Sequence, residues 1–205
     1  MKIAIKVSVV VCLFMLSTCV SASLIDYAGS AYDGWAGTVS FDSYNPPFST
    51  IPGLHGTVEY VVFAPGDFPT DCVGYTPTPG EFVYTYQITP DADSYVVSGF
   101  EVEIQNSADN PGSFTGDYVS GTGLNTPASL ANWSFAGVPS GTSSVGLAFS
   151  SPYAPINLYG SCIDSGVTAD IDDIPSPGEN VPEPSTLVLL VLGANSLILA
   201  RRRHA

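Results

Sequence analysis

Short runs that alternate apolar and polar residues, broken every few positions by turn residues, constrain this chain more than any other feature. In Glu81–Ile88, the side chains of Phe82, Tyr84, Tyr86 and Ile88 fall on one side. In Gly99–Gln105, Phe100, Val102 and Ile104 fall on one side, with Glu101, Glu103 and Gln105 opposite. A period of two is the signature of a strand, whose successive side chains point to opposite faces. Gly37–Phe41, Thr57–Phe63, Ser94–Val97, Asn132–Ala136 and Ser144–Phe149 read as further strands. Between them stand Asn45-Pro46-Pro47, Ala64-Pro65-Gly66-Asp67, Thr78-Pro79-Gly80, Asp109-Asn110-Pro111-Gly112 and Val138-Pro139-Ser140-Gly141. Such clusters fix turns through the restricted φ of Pro, the freedom of Gly and the self-bonding of Asx side chains. No window of helical length between Ser23 and Ile174 repeats apolar residues at three-to-four spacing. About seven short strands with frequent turns predict an all-β domain. The expected form is an antiparallel β-sandwich, jelly-roll-like or immunoglobulin-like, over residues 23–164. A signal-peptide helix is expected before it and a transmembrane helix after it.

Charge divides the chain as sharply. The five basic side chains are Lys2, Lys6, Arg201, Arg202 and Arg203, and the 19 acidic ones run from Asp26 to Glu183. Residues 23–181 therefore contain no Lys or Arg and carry a net charge of about −18 before termini. That body repels phosphate backbones, so no nucleic-acid partner is expected. Lys2 and Lys6, the apolar run Val7–Leu16 and the small residues Val20-Ser21-Ala22 predict a signal peptide over 1–22, cut by signal peptidase between Ala22 and Ser23. Removing it takes away Cys12 and Cys19. Cys72 and Cys162 remain, and an even count in an exported chain predicts one disulfide between them.

Composition shifts again near Ser165. Asp170, Asp172, Asp173, Pro175, Pro177, Gly178 and Glu179 give an acidic, Pro-bearing stretch with little to bury, which predicts a linker over 165–180. Beyond it come Pro182-Glu183-Pro184, an apolar run over 186–200 and the Arg201–Arg203 cluster. As a helix, 186–200 would extend about 22 Å, short against a bilayer core of about 30 Å. The arginines act as a membrane stop on the cytoplasmic side, leaving the body outside. In these features residues 181–205 resemble the PEP-CTERM sorting signal of bacterial exported proteins. The resemblance implies recognition by the membrane enzyme exosortase, cleavage near Pro182–Pro184, and passage from the inner membrane to the cell surface or matrix. It also implies an association with exopolysaccharide or biofilm.

The body offers few groups for chemistry. His55 is its only histidine and reads as a surface residue. Glu101 and Glu103, about 6.8 Å apart along a strand, are the paired carboxylates that an exported carbohydrate-active enzyme would need. Solvent-facing alternating Glu is equally what a half-exposed strand presents, and the chain is read as non-catalytic. An acid-rich exported body suits Ca²⁺, for which Asp170, Asp172 and Asp173 are the candidate ligands; no other cofactor is expected. Tyr and Trp residues, Trp35 and Trp133 among them, could stack on sugar rings. The expected function is that of a structural or adhesive surface protein associated with extracellular polysaccharide.

Overall fold

The computed structural model describes residues 23–43, 53–114, 119–124, 130–164 and 166–179. They form ten strands: β1 (Ala36–Asp42), β2 (His55–Phe63), β3 (Phe82–Pro90), β4 (Val97–Glu103), β5 (Asp109–Phe114), β6 (Val119–Leu124), β7 (Leu130–Val138), β8 (Gly146–Ser151), β9 (Ala154–Asp164) and β10 (Val167–Glu179). Two five-stranded sheets result, ordered β1-β2-β3-β8-β5 (sheet 1) and β10-β9-β4-β7-β6 (sheet 2). The strand pairs are antiparallel. β3 pairs with β8 while β4, the next strand, pairs with β7, so the chain winds as nested pairs and crosses between sheets at most connections. The hairpins β1-β2 and β9-β10 extend this winding at either end.

The inward faces meet in a core of aromatic rings. Tyr86 of β3 packs on Phe100 of β4 at 5.5 Å between centroids, Phe100 stacks on Trp133 of β7 at 5.7 Å, and Trp133 stacks on Phe149 of β8 at 6.2 Å. Their polar atoms are satisfied, as burial in a low-dielectric core requires. The Trp133 indole N–H donates to the Gly112 carbonyl on β5 at 2.9 Å, and the Tyr86 hydroxyl donates to the Pro175 carbonyl on β10 at 2.6 Å. Burial holds the Tyr86 phenol well above its ordinary range. Of the predicted inward set Phe82, Tyr84, Tyr86 and Ile88, the last three are buried and Phe82 packs half-buried against the core. The other face of β3 is buried too: Val83 joins a second cluster of Leu24, Val61, Phe63, Cys72, Tyr75, Phe114 and Ala148 on the outer side of sheet 1. Phe68 closes this cluster, edge-on to Phe63, Tyr75 and Phe114 at 5.5–5.6 Å.

Four expectations change. Ser94–Val97 is not a strand of its own: Ser94, Tyr95 and Val96 lead into β4, which begins at Val97. The acidic stretch 165–180 is not a linker: residues 167–179 form β10, at the edge of sheet 2 beside β9. Ala169, Ile171 and Ile174 enter the shared core, while Pro175 and Pro177 are tolerated because an edge strand leaves one row of N–H groups unused. The Asp109–Gly112 turn is instead the irregular start of β5, with a register shift between Asp109 and Gly112. The expected Cys72–Cys162 bridge is absent, and both cysteines are free and buried. Cys162 lies in the core between the sheets and Cys72 in the cluster outside sheet 1, so a sheet stands between them. Burial raises both thiols above the ordinary thiol range, which keeps them protonated. Among the described residues no helix is long and apolar enough to cross a membrane. The apolar runs over 7–16 and 186–200 lie outside the described residues.

Candidate functional site

The outer face of sheet 2 gathers most of the residues singled out in the sequence. Alternation on β4 sends Phe100 and Val102 inward and Glu101 and Glu103 outward. On β9, inward Cys162 leaves Ser161 and Tyr159 outward; on β10, inward Ala169 and Ile171 leave Asp170 outward. The register aligns them in rows. Glu101 stands opposite Asn132 on one side and Ser161 on the other, and Ser161 stands opposite Asp170. Strand spacing separates neighbours in such a row by about 4.8 Å, and the next row lies about 6.8 Å along. That second row carries Leu130 and Glu103, with Tyr159 beside them. Together with Ser161 and Asp170 these residues line a shallow depression of about 350 Å³.

Tyr159 is 63 % exposed and is the one aromatic among the strongly exposed large apolar side chains of the described residues. Sequence reasoning passed over it, although Asn157-Leu158-Tyr159-Gly160-Ser161-Cys162 carries the same alternation as β3. The tryptophans offered as sugar stackers are placed otherwise: Trp133 is in the core and Trp35 packs half-buried against it. The three aspartates proposed for Ca²⁺ separate. Asp170 faces Glu101 and Glu103, whereas Asp172 and Asp173 line a neighbouring hollow with Asn157 and the far side of Tyr159. The Asp172-Asp173 pair marks a β-bulge between Ile171 and Ile174. Asp173 takes a left-handed φ of 59°, which Asp tolerates better than most residues, and the extra residue returns Ile174 to the core. Among the described residues no group of three or more His, Cys, Asp or Glu side chains is arranged to hold a metal ion.

Two other polar clusters lie on sheet 1. His55, at the start of β2, lines a hollow of about 480 Å³ with Asp42, Asp91 and Asp93. Its Nε2 lies 2.9 Å from Asp93 Oδ1 and its Nδ1 lies 3.2 Å from the Gly53 carbonyl. Protonated imidazole donates from both nitrogens and so satisfies both contacts. The hydrogen bond to Asp93 therefore raises the His55 pKa, and the same bond lowers that of Asp93. The nearby Ser94 hydroxyl accepts from the His55 backbone N–H and donates to the Tyr95 carbonyl, so it is turned to the backbone rather than to the imidazole.

The sign of the pH effect follows. His55 has a raised folded pKa, so its contribution is full below about 6.5 and is lost as pH rises through the folded value. Asp93 has a depressed one, so its contribution is full above about 3.9 and is lost as pH falls. The difference in melting temperature between wild type and His55→Gln is expected to be largest near pH 5 and to shrink toward pH 8. A difference that stays flat across that range would show that the pair does not stabilise the fold.

The second cluster, Glu81 with Asp109, was not visible in the sequence, because 28 residues separate two carboxyls that meet where β3 and β5 begin. Burial first, then the Asp109 charge and hydrogen bond, raise the Glu81 carboxyl above the ordinary range. Thr78 Oγ1 donates to Asp109 at 2.9 Å, and the Asn110 side chain donates to the Thr76 carbonyl at 2.6 Å, which ties the pair to the loop before β3.

Pro182, Glu183, Pro184, Arg201, Arg202, Arg203 and Ala22 lie outside the described residues; Ser23 is the first residue within them. Residues 180–203 match the model of the PEP-CTERM protein-sorting motif. No curated protein and no solved structure matches the chain. The expected sorting signal is thus present, and it marks an exported protein sorted by exosortase, a membrane enzyme.

Proposed function

We propose that the domain ending at Glu179 is a non-catalytic module of the cell surface or extracellular matrix. In this reading the outer face of sheet 2 around Tyr159 binds a neutral polysaccharide. Signal peptidase frees the N-terminus after Ala22, exosortase removes the tail near Pro182–Pro184, and the domain works outside the cell. No cofactor belongs to this reading. The nested pairing of β3 with β8 and β4 with β7 favours a jelly-roll-like sandwich over an immunoglobulin-like one.

One observation carries the proposal: an exposed tyrosine ring stands among outward carboxylates on an open sheet face. A tyrosine face packs against the C–H face of a pyranose. Glu101, Glu103 and Asp170 are acceptors for the hydroxyl hydrogens around such a ring. The face carries no Lys or Arg, so uronate or sulfate chains are repelled and neutral chains favoured.

Binding of the mature protein to a panel of neutral and anionic glycans tests this. Wild type is expected to bind a neutral chain, and Tyr159→Ala to lose at least about tenfold in affinity, on the order of 1.4 kcal/mol. Unchanged binding by Tyr159→Ala would remove the face from the proposal. Hydrolysis assays on the same panel address the enzymatic reading. Turnover lost in Glu101→Gln, Glu103→Gln or Glu81→Gln would replace the module with a carboxylate-dependent hydrolase.

A further inference from the structure

The first described residues are anchored as soon as they begin. The Ser23 hydroxyl donates to the Glu59 carboxylate on β2. The Ile25 N–H donates to the same Glu59 oxygen at 3.3 Å, and the Leu24 N–H donates to Gln87 Oε1 on β3 at 3.2 Å. Gln87 is fixed in turn, since its amide nitrogen donates to the Ser144 carbonyl at 2.9 Å. Leu24 is 2 % exposed and belongs to the second core. Three successive residues thus bind β2 and β3 immediately downstream of the predicted cleavage point.

We propose that the export cleavage completes this seam: hydrolysis of the Ala22–Ser23 bond frees an α-ammonium that becomes a structural cation paired with Glu59. The proposal rests on reading residues 1–22 as a signal peptide. In the cleavage, one water adds across the peptide bond. Its oxygen goes to the Ala22 carbonyl carbon and its protons leave Ala22 as a carboxylate and Ser23 as an ammonium. The precursor has a neutral amide at that nitrogen. The mature chain has a positive charge three bonds from the hydroxyl that already touches Glu59.

The charged side chains around that position are all acidic, and none is basic. Among the strands packed against the 3₁₀ segment Leu24–Ser30, β2 presents Glu59, β3 presents neutral Gln87, and β1 places Thr38 opposite Glu59. On the segment's own side lie Asp26 and Tyr27, with Asp71 3.3 Å from the Tyr27 hydroxyl and Cys72 close by. No Lys or Arg occurs between residues 7 and 200 to compete for Glu59. Export would therefore supply an ammonium group, which the body's own side chains lack.

The same scarcity gives a clean experiment. Lys2 and Lys6 leave with the signal, so the α-amine is the only amine of the mature protein and reductive methylation with ¹³C-formaldehyde labels one site. Mass spectrometry of the exported protein should first place the N-terminus at Ser23; any other N-terminus overturns the cleavage assignment. NMR titration of the labelled amine should then give a midpoint at least half a unit above the ordinary α-amino value of about 8. Glu59→Gln should return the midpoint to that value, and Ser23→Ala should keep it raised. A Ser23 N-terminus with equal midpoints in wild type and Glu59→Gln overturns the ion pair while leaving the cleavage standing. Acetylation of the wild-type amine is the second measurement, needed should Glu59→Gln not fold. It should lower the melting temperature at pH 6 and have no effect above the titration midpoint; an equal effect at both pH values overturns the pair.

Discussion

A chain running from Ser23 to Asp164 is expected to give no cooperative unfolding transition, whereas one running from Ser23 to Glu179 unfolds in a single step. The difference is β10. It places Ala169, Ile171 and Ile174 in the shared core, and its Pro175 carbonyl accepts the buried Tyr86 hydroxyl. Each isoleucine contributes about 1.5–3 kcal/mol by burial. Leaving the Tyr86 hydroxyl unpaired costs about 1–3 kcal/mol more. Removing the strand also strips cover from core residues such as Cys162 of β9. Against a total stability of about 5–15 kcal/mol for an ordinary domain, that loss is decisive. Urea unfolding followed by fluorescence of buried Trp133 distinguishes the two chains. Equal midpoints for both would restore the reading of 165–180 as a linker.

Trp133→Ala is expected to cost about 3–5 kcal/mol, the range for removing a large aromatic from a packed core. The ring stacks on Phe100 and Phe149, so its loss opens a cavity between the sheets. The substitution also strands the Gly112 carbonyl, which Trp133 of sheet 2 reaches across to sheet 1. Trp133→Phe keeps much of the stacking and loses the hydrogen bond, so a smaller cost of about 1–2 kcal/mol is expected. Denaturant midpoints of the two variants check both figures, read by circular dichroism and by the fluorescence of the remaining Trp35. A cost below 1 kcal/mol for Trp133→Ala would mean that the aromatic cluster does not hold the sheets together.

Strands whose faces differ in polarity were legible from sequence. β3 and β4 show it directly, because Tyr84, Tyr86, Phe100 and Val102 recur with period two, and the predicted runs on β1, β2, β7 and β8 fall within or across the observed strands. What escaped were strands that composition disguises. β10 carries Asp170, Asp172 and Asp173 on the solvent side and prolines at an edge, so it reads as a linker although its inward residues are Ala169, Ile171 and Ile174. β5 opens with Asn110 at a left-handed φ of 50°, the chemistry of a turn placed at the start of an edge strand. Cysteine counting could not anticipate that a sheet would stand between Cys72 and Cys162. The sorting motif was readable because its order along the chain is itself the signal, whereas the Tyr159 face exists only once β4, β9 and β10 lie side by side.

β10 ends at Glu179, and Pro182 is three residue steps further on, a reach of at most about 11 Å. The tether between the folded body and its sorting motif therefore has almost no slack. Whatever grips the motif meets the rim of the domain where Asn106 donates to the Gly178 carbonyl and Ala154 pairs with Glu179. The end of the last strand therefore fixes the point from which the motif starts, and an unfolded or wrongly registered β10 would shift that point. Folding of the final strand thus bounds where the sorting motif can begin.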